Sequence, residues 1–154
     1  MQLTKFSDYA LRVLMYAQAA NDRLVTIDEM AASYQISRAH LMKVVNSLTR
    51  AGYLTGVRGR TGGLKLAKPA DEIVLGEVVR LTEPDMNLVE CFSTGNQCVI
   101  SGCCRLPAVL QHAINAFLNE LDQHTLASVA LKPKDFHRIL APIPFSAASA
   151  SGRS

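Results

Sequence analysis

The chain has 154 residues, 49% of them apolar, and a formal net charge of +3. That length suits one domain, or a small domain with an extension, and the apolar content supports a core without disulfide staples. No stretch approaches the roughly 18 apolar residues of a transmembrane helix, and the opening run from Met1 to Tyr9 has no apolar segment before its first charge, so neither a membrane partner nor a secretory leader is expected. The expectation is a cytoplasmic protein.

Residues 7–20 predict a first helix, with Ser7 as its cap and an apolar face of Ala10, Leu11, Leu14, Met15 and Ala17 at helical spacing. Thr26-Ile27-Asp28-Glu29 reads as a capping box that opens a short helix ending near Tyr34. Gln35-Ile36 makes a tight turn. Ser37 then caps a third helix that runs to about Arg50 and stops at Gly52. Leu41, Val44, Val45 and Leu48 form its inner side, while Arg38, Lys43 and Arg50 lie largely elsewhere. Two short helices about a tight turn, the second basic on its outer face, make a helix-turn-helix. The second helix of that motif enters the major groove of DNA.

Tyr53 to Val57 and Leu64 to Ala67 alternate as two strands. Between them Arg58-Gly59-Arg60-Thr61-Gly62-Gly63 forms a glycine-rich tip. Such a hairpin is the wing of a winged helix, and its glycines allow close approach to a nucleic acid. Arg58 and Arg60 suit a narrow minor groove. Arg38, His40 and Lys43 are candidates for the major groove or phosphates. Seven bases and no acid fall between Ser37 and Lys68, whereas six acids and one base fall between Pro69 and Gln97. This polarity is the footprint of a surface for double-stranded DNA; the bland alternative is a solvated basic face.

Leu75 to Thr82 predicts a fourth helix, ended by Glu83-Pro84. Residues 85–103 read as loop, and about 104–123 as a long amphipathic helix with Pro107 in its first turn. Its stripe of Leu106, Val109, Leu110, Ala113, Ile114, Phe117, Leu118 and Leu121 asks for a second copy of the same helix, with packing inside the chain as the alternative. The expected fold is thus mainly α with a small β-wing. Residues 1–83 form a winged helix-turn-helix, 84–104 a cysteine loop, 104–131 a dimerisation helix and following turn, and 132–154 a flexible tail.

Cys91, Cys98, Cys103 and Cys104 fall within fourteen residues and are the only cysteines of the chain. Clustered thiols in a reducing compartment more often mark a metal or redox site than a disulfide framework. Zinc suits three thiolates and a carboxylate. A catalytic cysteine is disfavoured, because no histidine stands as an obvious base and the surroundings are acidic. No enzyme activity is expected.

Taken together, Leu3-Thr4 with Ser7-Asp8-Tyr9-Ala10-Leu11-Arg12, the wing from Val57 to Gly63, and Leu88-Val89-Glu90-Cys91 leading to Cys104-Arg105-Leu106 resemble the iron–sulfur-dependent winged-helix regulators of the IscR, RirA and NsrR type. Within that family the chain is similar above all to the nitric-oxide-sensing members. The resemblance covers residues 1 to about 131. It implies a homodimeric repressor of an inverted-repeat operator, with nitric oxide as its signal. It also implies an iron–sulfur cluster, [4Fe–4S] with [2Fe–2S] as the alternative, open to loss in aerobic preparations. The implied ligands are Cys91, Cys98, Cys104 and Asp8, the last supplied by the other subunit. Two departures stand out. Six residues separate Cys91 from Cys98 where five are usual, and Cys103 is an extra thiol that offers an alternative to Cys104. The histidine of IscR-like members is replaced by Pro107. An iron-responsive regulator of the RirA kind shares the same loop and stays open, as does the zinc protein.

Overall fold

The computed structural model describes residues 2–21, 23–131 and 135. Five helices and two strands occur among them: α1 Lys5–Ala19, α2 Ile27–Tyr34, α3 Arg38–Arg50, β1 Leu54–Val57, β2 Gly63–Leu66, α4 Leu75–Thr82 and α5 Leu106–Asp122. The winged helix with an added long helix is therefore present. The tail expected over 132–154 lies outside the described residues, apart from Asp135.

Local chemistry explains most boundaries. Thr4, not Ser7, caps α1: its hydroxyl accepts the Ser7 N–H at 3.2 Å, and the helix starts two residues earlier than the sequence predicts. Ser7 is buried in the first turn, its Oγ 3.2 Å from that of Thr4. Thr26 caps α2 by accepting the Glu29 N–H at 3.1 Å. Gln35 leaves α2 in the left-handed region at φ 54°, which turns the chain sharply into α3. At the end of α3, Gly52 takes φ +78° while Tyr53 N–H reaches Leu48 O and Gly52 N–H reaches Thr49 O. That pair of bonds is a Schellman close, which favours glycine at the left-handed position.

The strands pair antiparallel with Leu54 opposite Leu66 and Val57 opposite Gly63. Val25, between α1 and α2, adds a rung by exchanging backbone hydrogen bonds with Leu64 at 2.9 and 2.7 Å. The wing is thereby fixed to the helical body. The core is built from Val13, Leu14, Tyr16, Met30, Leu41, Val44, Leu48, Leu54, Ile73 and Leu126, all essentially without solvent contact. Leu126 enters it because residues after α5 fold back: Val74 pairs with Thr125, and Leu126 N–H donates to Ile73 O at 2.8 Å.

The long helix begins at Leu106 rather than Cys104, because the Cys103 and Cys104 amides instead close turns onto Ile100 O at 3.0 and 2.9 Å. Only Ile114 of α5 is buried, while Leu106 and Val109 are 54% and 62% exposed. Arg80 of α4 grips Asp122 at the far end of α5 with two hydrogen bonds of 2.6 and 2.7 Å.

Candidate DNA-binding face and cysteine loop

α3 and the wing carry the exposed cations of the basic block. Arg38, His40, Lys43, Arg58 and Arg60 are all exposed. They are not equally free. Arg38 Nε donates to Asp28 Oδ1 of α2 at 2.6 Å. The His40 ring stands 6.5 Å from that of Tyr9. Lys68, counted in the basic block, places its ammonium 4.5 Å from the Tyr53 ring centre, within cation–π reach. Gly59 carries φ +123° at the wing tip, and Gly62 N–H closes the turn onto Gly59 O at 3.0 Å.

α1 and α2 are joined by a polar network that sequence reading missed. The Tyr16 hydroxyl donates to Glu29 Oε1 at 2.9 Å and stands 3.2 Å from Ser33 Oγ, joining α1 to α2. Arg23 holds both Glu29 oxygens at 3.1 and 2.6 Å. Burial opposes ionisation of Glu29, but hydrogen bonds from Arg23 and Tyr16, the Arg23 charge and the Thr26 backbone N–H outweigh it and hold the carboxyl below its ordinary value. Tyr34 packs edge-on to Tyr16 at 5.7 Å and donates to Arg12 O at 3.1 Å. Burial first, then the proximity of Tyr16, pushes its phenol up to about 12 against the opposing charge of Arg12. The only signal in the sequence was one tyrosine on each of two helices, which local pattern cannot pair.

Asp8 sits in the first turn of α1, half exposed, with its carboxylate forked by Arg12 at 2.9 Å on each oxygen. Thr4, one turn earlier, gives both its N–H and its hydroxyl to Glu83 Oε1 at 2.8 and 3.1 Å. Glu83 caps the end of α4, so the start of α1 is tied to the segment that leads into the cysteine loop.

The loop is stitched by short-range bonds. Asn96 Oδ1 accepts the Cys98 N–H at 2.8 Å, and Asn96 Nδ2 donates to Ser101 Oγ at 2.7 Å. The Ser101 hydroxyl returns to Cys98 O at 2.7 Å. Cys103 Sγ donates to Ile100 O at 3.4 Å. All four cysteines are free thiols; Cys98 and Cys103 are exposed, Cys91 and Cys104 half-buried. Free thiolates in one loop are the donor chemistry of an iron–sulfur group. Among the described residues, however, no three Cys, His, Asp or Glu side chains gather where one metal ion would touch them all. The donor set fits in kind, and its convergence requires the loop to close round the group, so ligation and loop folding would be one event.

The fold and the face define a winged-helix DNA-binding regulator that carries a thiol loop. The family model for Rrf2, described as iron-dependent transcriptional regulator, matches residues 3–132. The chain belongs to the Rrf2 family. It is 44% identical over 143 residues to the HTH-type transcriptional regulator NsrR of Bacillus licheniformis, a match spanning 92% of this chain and all of that one. Among solved structures, the oxidised form of Staphylococcus aureus CymR superposes with a TM-score of 0.70 at 23% identity, covering 86% of this chain and 98% of that one. IscR from T. potens gives 0.67 at 21% identity, covering 84% and 85%. These two likenesses concern the fold alone. The protein is a transcriptional regulator and not an enzyme, and no described helix is long and apolar enough to cross a membrane.

Proposed function

We propose that the protein is a homodimeric transcriptional repressor whose hold on an inverted-repeat operator depends on a [4Fe–4S] cluster and is released by nitric oxide. The observation that carries this reading is the set of four free thiols confined to the loop from Cys91 to Cys104, in a chain 44% identical to an NsrR regulator. Cys91, Cys98 and Cys104 are the proposed thiolate ligands, with Cys103 as the stand-in for Cys104. Asp8, from the other subunit, is the proposed fourth. When bound, the cluster supplies iron that is open to attack by a small diatomic ligand. Everything else is done by the chain. α3 offers Arg38, His40 and Lys43 to the major groove, and the wing offers Arg58 and Arg60 to the minor groove. Asp8 leaves Arg12 to serve as a ligand, which couples the start of α1 to the loop. A coupling of about 1–3 kcal/mol changes operator affinity about 5- to 150-fold.

The test uses anaerobically purified protein. Iron and sulfide are counted per chain, and nitric oxide is titrated in while absorbance and operator binding are followed together. About four irons per chain, with binding lost as the absorbance bleaches, is the expected result. Cys98→Ala is expected to keep a folded dimer and lose the cluster; a full cluster in that variant overturns the ligand assignment. The family description as iron-dependent favours one second reading, a regulator that follows iron supply. A cluster indifferent to nitric oxide, with operator binding that tracks iron, would establish it in place of the first.

A further inference from the structure

A cavity of about 440 Å³ opens between the end of α1, the end of β2 and the turn that follows β2. It stands apart from the thiol loop and from the proposed DNA contacts, none of whose residues lines it. Its two walls differ in chemistry. β2 and the turn contribute two cations, Lys65 and Lys68, and no acid lines the cavity among the described residues. The α1 wall contributes the amide side chains of Gln18 and Asn21.

The α1 wall asks for a charged donor. Among the described residues, Gln18 Oε1 is the one buried side-chain oxygen or nitrogen with no hydrogen-bond partner. Such orphans are rare, and each points to a water or ligand that completes it. Gln18 lines the cavity, so a turn about its side-chain bonds brings this oxygen to a donor held inside. The last turn of α1 carries no basic residue, so its own side chains leave the partial negative charge of the helix end unanswered. An ammonium answers both needs.

The β2 wall asks for two anionic groups. Lys65 is exposed on β2, and Lys68 is half-buried in the turn beyond it. The Lys68 ammonium is held 4.5 Å from the Tyr53 ring centre, and Tyr53 is itself buried. Tethered by that cation–π contact, Lys68 is not free to share one anion with Lys65, so each ammonium addresses a group of its own. Two carboxylates and one ammonium on a short carbon chain make up an acidic α-amino acid. The cavity is within the size range of small-molecule sites.

We propose that this cavity binds a free acidic amino acid, aspartate or glutamate. Its ammonium meets Gln18 Oε1, and its two carboxylates meet Lys65 and Lys68. The bound molecule bridges α1 to β2, the strand that carries one side of the wing. The site needs neither the cluster nor a second chain.

The test titrates full-length protein, purified anaerobically, with L-aspartate and L-glutamate in a calorimeter. Succinate and glutarate serve as comparisons, since they keep the two carboxylates and lack the amine. Saturable binding of one amino acid with a dissociation constant of about 1 mM or below is expected. Its amine-free counterpart should bind at least about tenfold more weakly, because the site's acceptor is then left unpaired. Gln18→Leu removes that acceptor at similar volume, so it should melt no lower than the wild type and lose the preference for the amine. Lys65→Gln and Lys68→Gln should each weaken the amino acid about tenfold or more. Backbone amide shifts of ¹⁵N-labelled wild-type protein locate the site without any variant, and the largest ligand-induced changes are expected at residues 17–21 and 65–70. No saturable binding of either amino acid, equal binding of the amine-free acid, unchanged affinity in either lysine variant, or shifts centred elsewhere would each overturn the proposal.

Discussion

Arg38 and Asp28 show how a side chain readable as a DNA contact is already spoken for. Their side chains are 58% and 73% exposed, so the 2.6 Å pair contributes little to stability. Its larger effect is on the basic face, where it neutralises the first cation of α3 and holds its guanidinium toward α2. Asp28→Asn is expected to change unfolding free energy by less than about 1 kcal/mol, counting the lost helix-dipole contact. Operator affinity should rise, with a steeper dependence on salt. Denaturation curves and binding isotherms at two salt concentrations check both parts. Gly63 is a second residue whose role is steric: a Cβ there would lie 2.8 Å from Val25 O and 3.0 Å from Leu24 Cβ. Gly63→Ala must push the wing off the Val25 rung. A loss of about 1–3 kcal/mol in urea unfolding, with weakened operator binding, is the expected outcome. The exposure of Arg58 and Arg60 was legible in the sequence because a glycine-rich tip has nothing to bury them against. The pairing of Arg38 was not, since it depends on how α2 and α3 cross.

At the scale of elements, the signals that worked were those carried within one turn. Thr26 and Glu29, Ser37, and Gly52 each act on groups three or four residues away, and each marks the boundary the sequence assigns. Ser7 misled because two hydroxyls compete at the start of α1, and Glu83, 79 residues distant, selects Thr4 by binding both its N–H and its Oγ. The α1–α2 contact was hidden for the same reason. Tyr34 there yields a pH prediction. Its phenol is raised from 10 to about 12, chiefly by burial. A group whose folded value exceeds its unfolded value adds stability that is complete below the unfolded value and is lost as pH rises through the folded one. The window is therefore pH 10 to about 12. Tyr34→Phe is expected to cost about 1 kcal/mol at neutral pH, for the lost bond to Arg12 O, and to flatten the alkaline fall. Urea midpoints followed through that window decide it, and an equally steep fall in the variant would assign the loss to other groups.

At the scale of the whole molecule, the apolar face of α5 is left largely uncovered among the described residues. The sequence shows α5 as an apolar stripe, and within one chain that stripe buries only Ile114, with α4 reached through Arg80 and Asp122 at one end. The gathering of the cysteines is invisible for a related reason: four thiols in one loop state a chemistry, but their convergence belongs to a closed loop and, in the proposed dimer, to a second chain. Val109, 62% exposed in the first turns of the stripe, isolates this scale. Val109→Glu leaves the single chain's core untouched, because the side chain already faces water, and glutamate is a good helix former. In a symmetric interface it places two carboxylates close together, each stripped of water. The expected outcome is a folded monomer with an unchanged helical spectrum. Operator affinity should then fall by orders of magnitude, since two half-sites bound by separate chains lose the effective concentration that linkage provides. Affinity for a single half-site should stay as it was. Sedimentation together with binding to full and half operators separates this from misfolding, and a variant that remains a dimer would move the interface off α5.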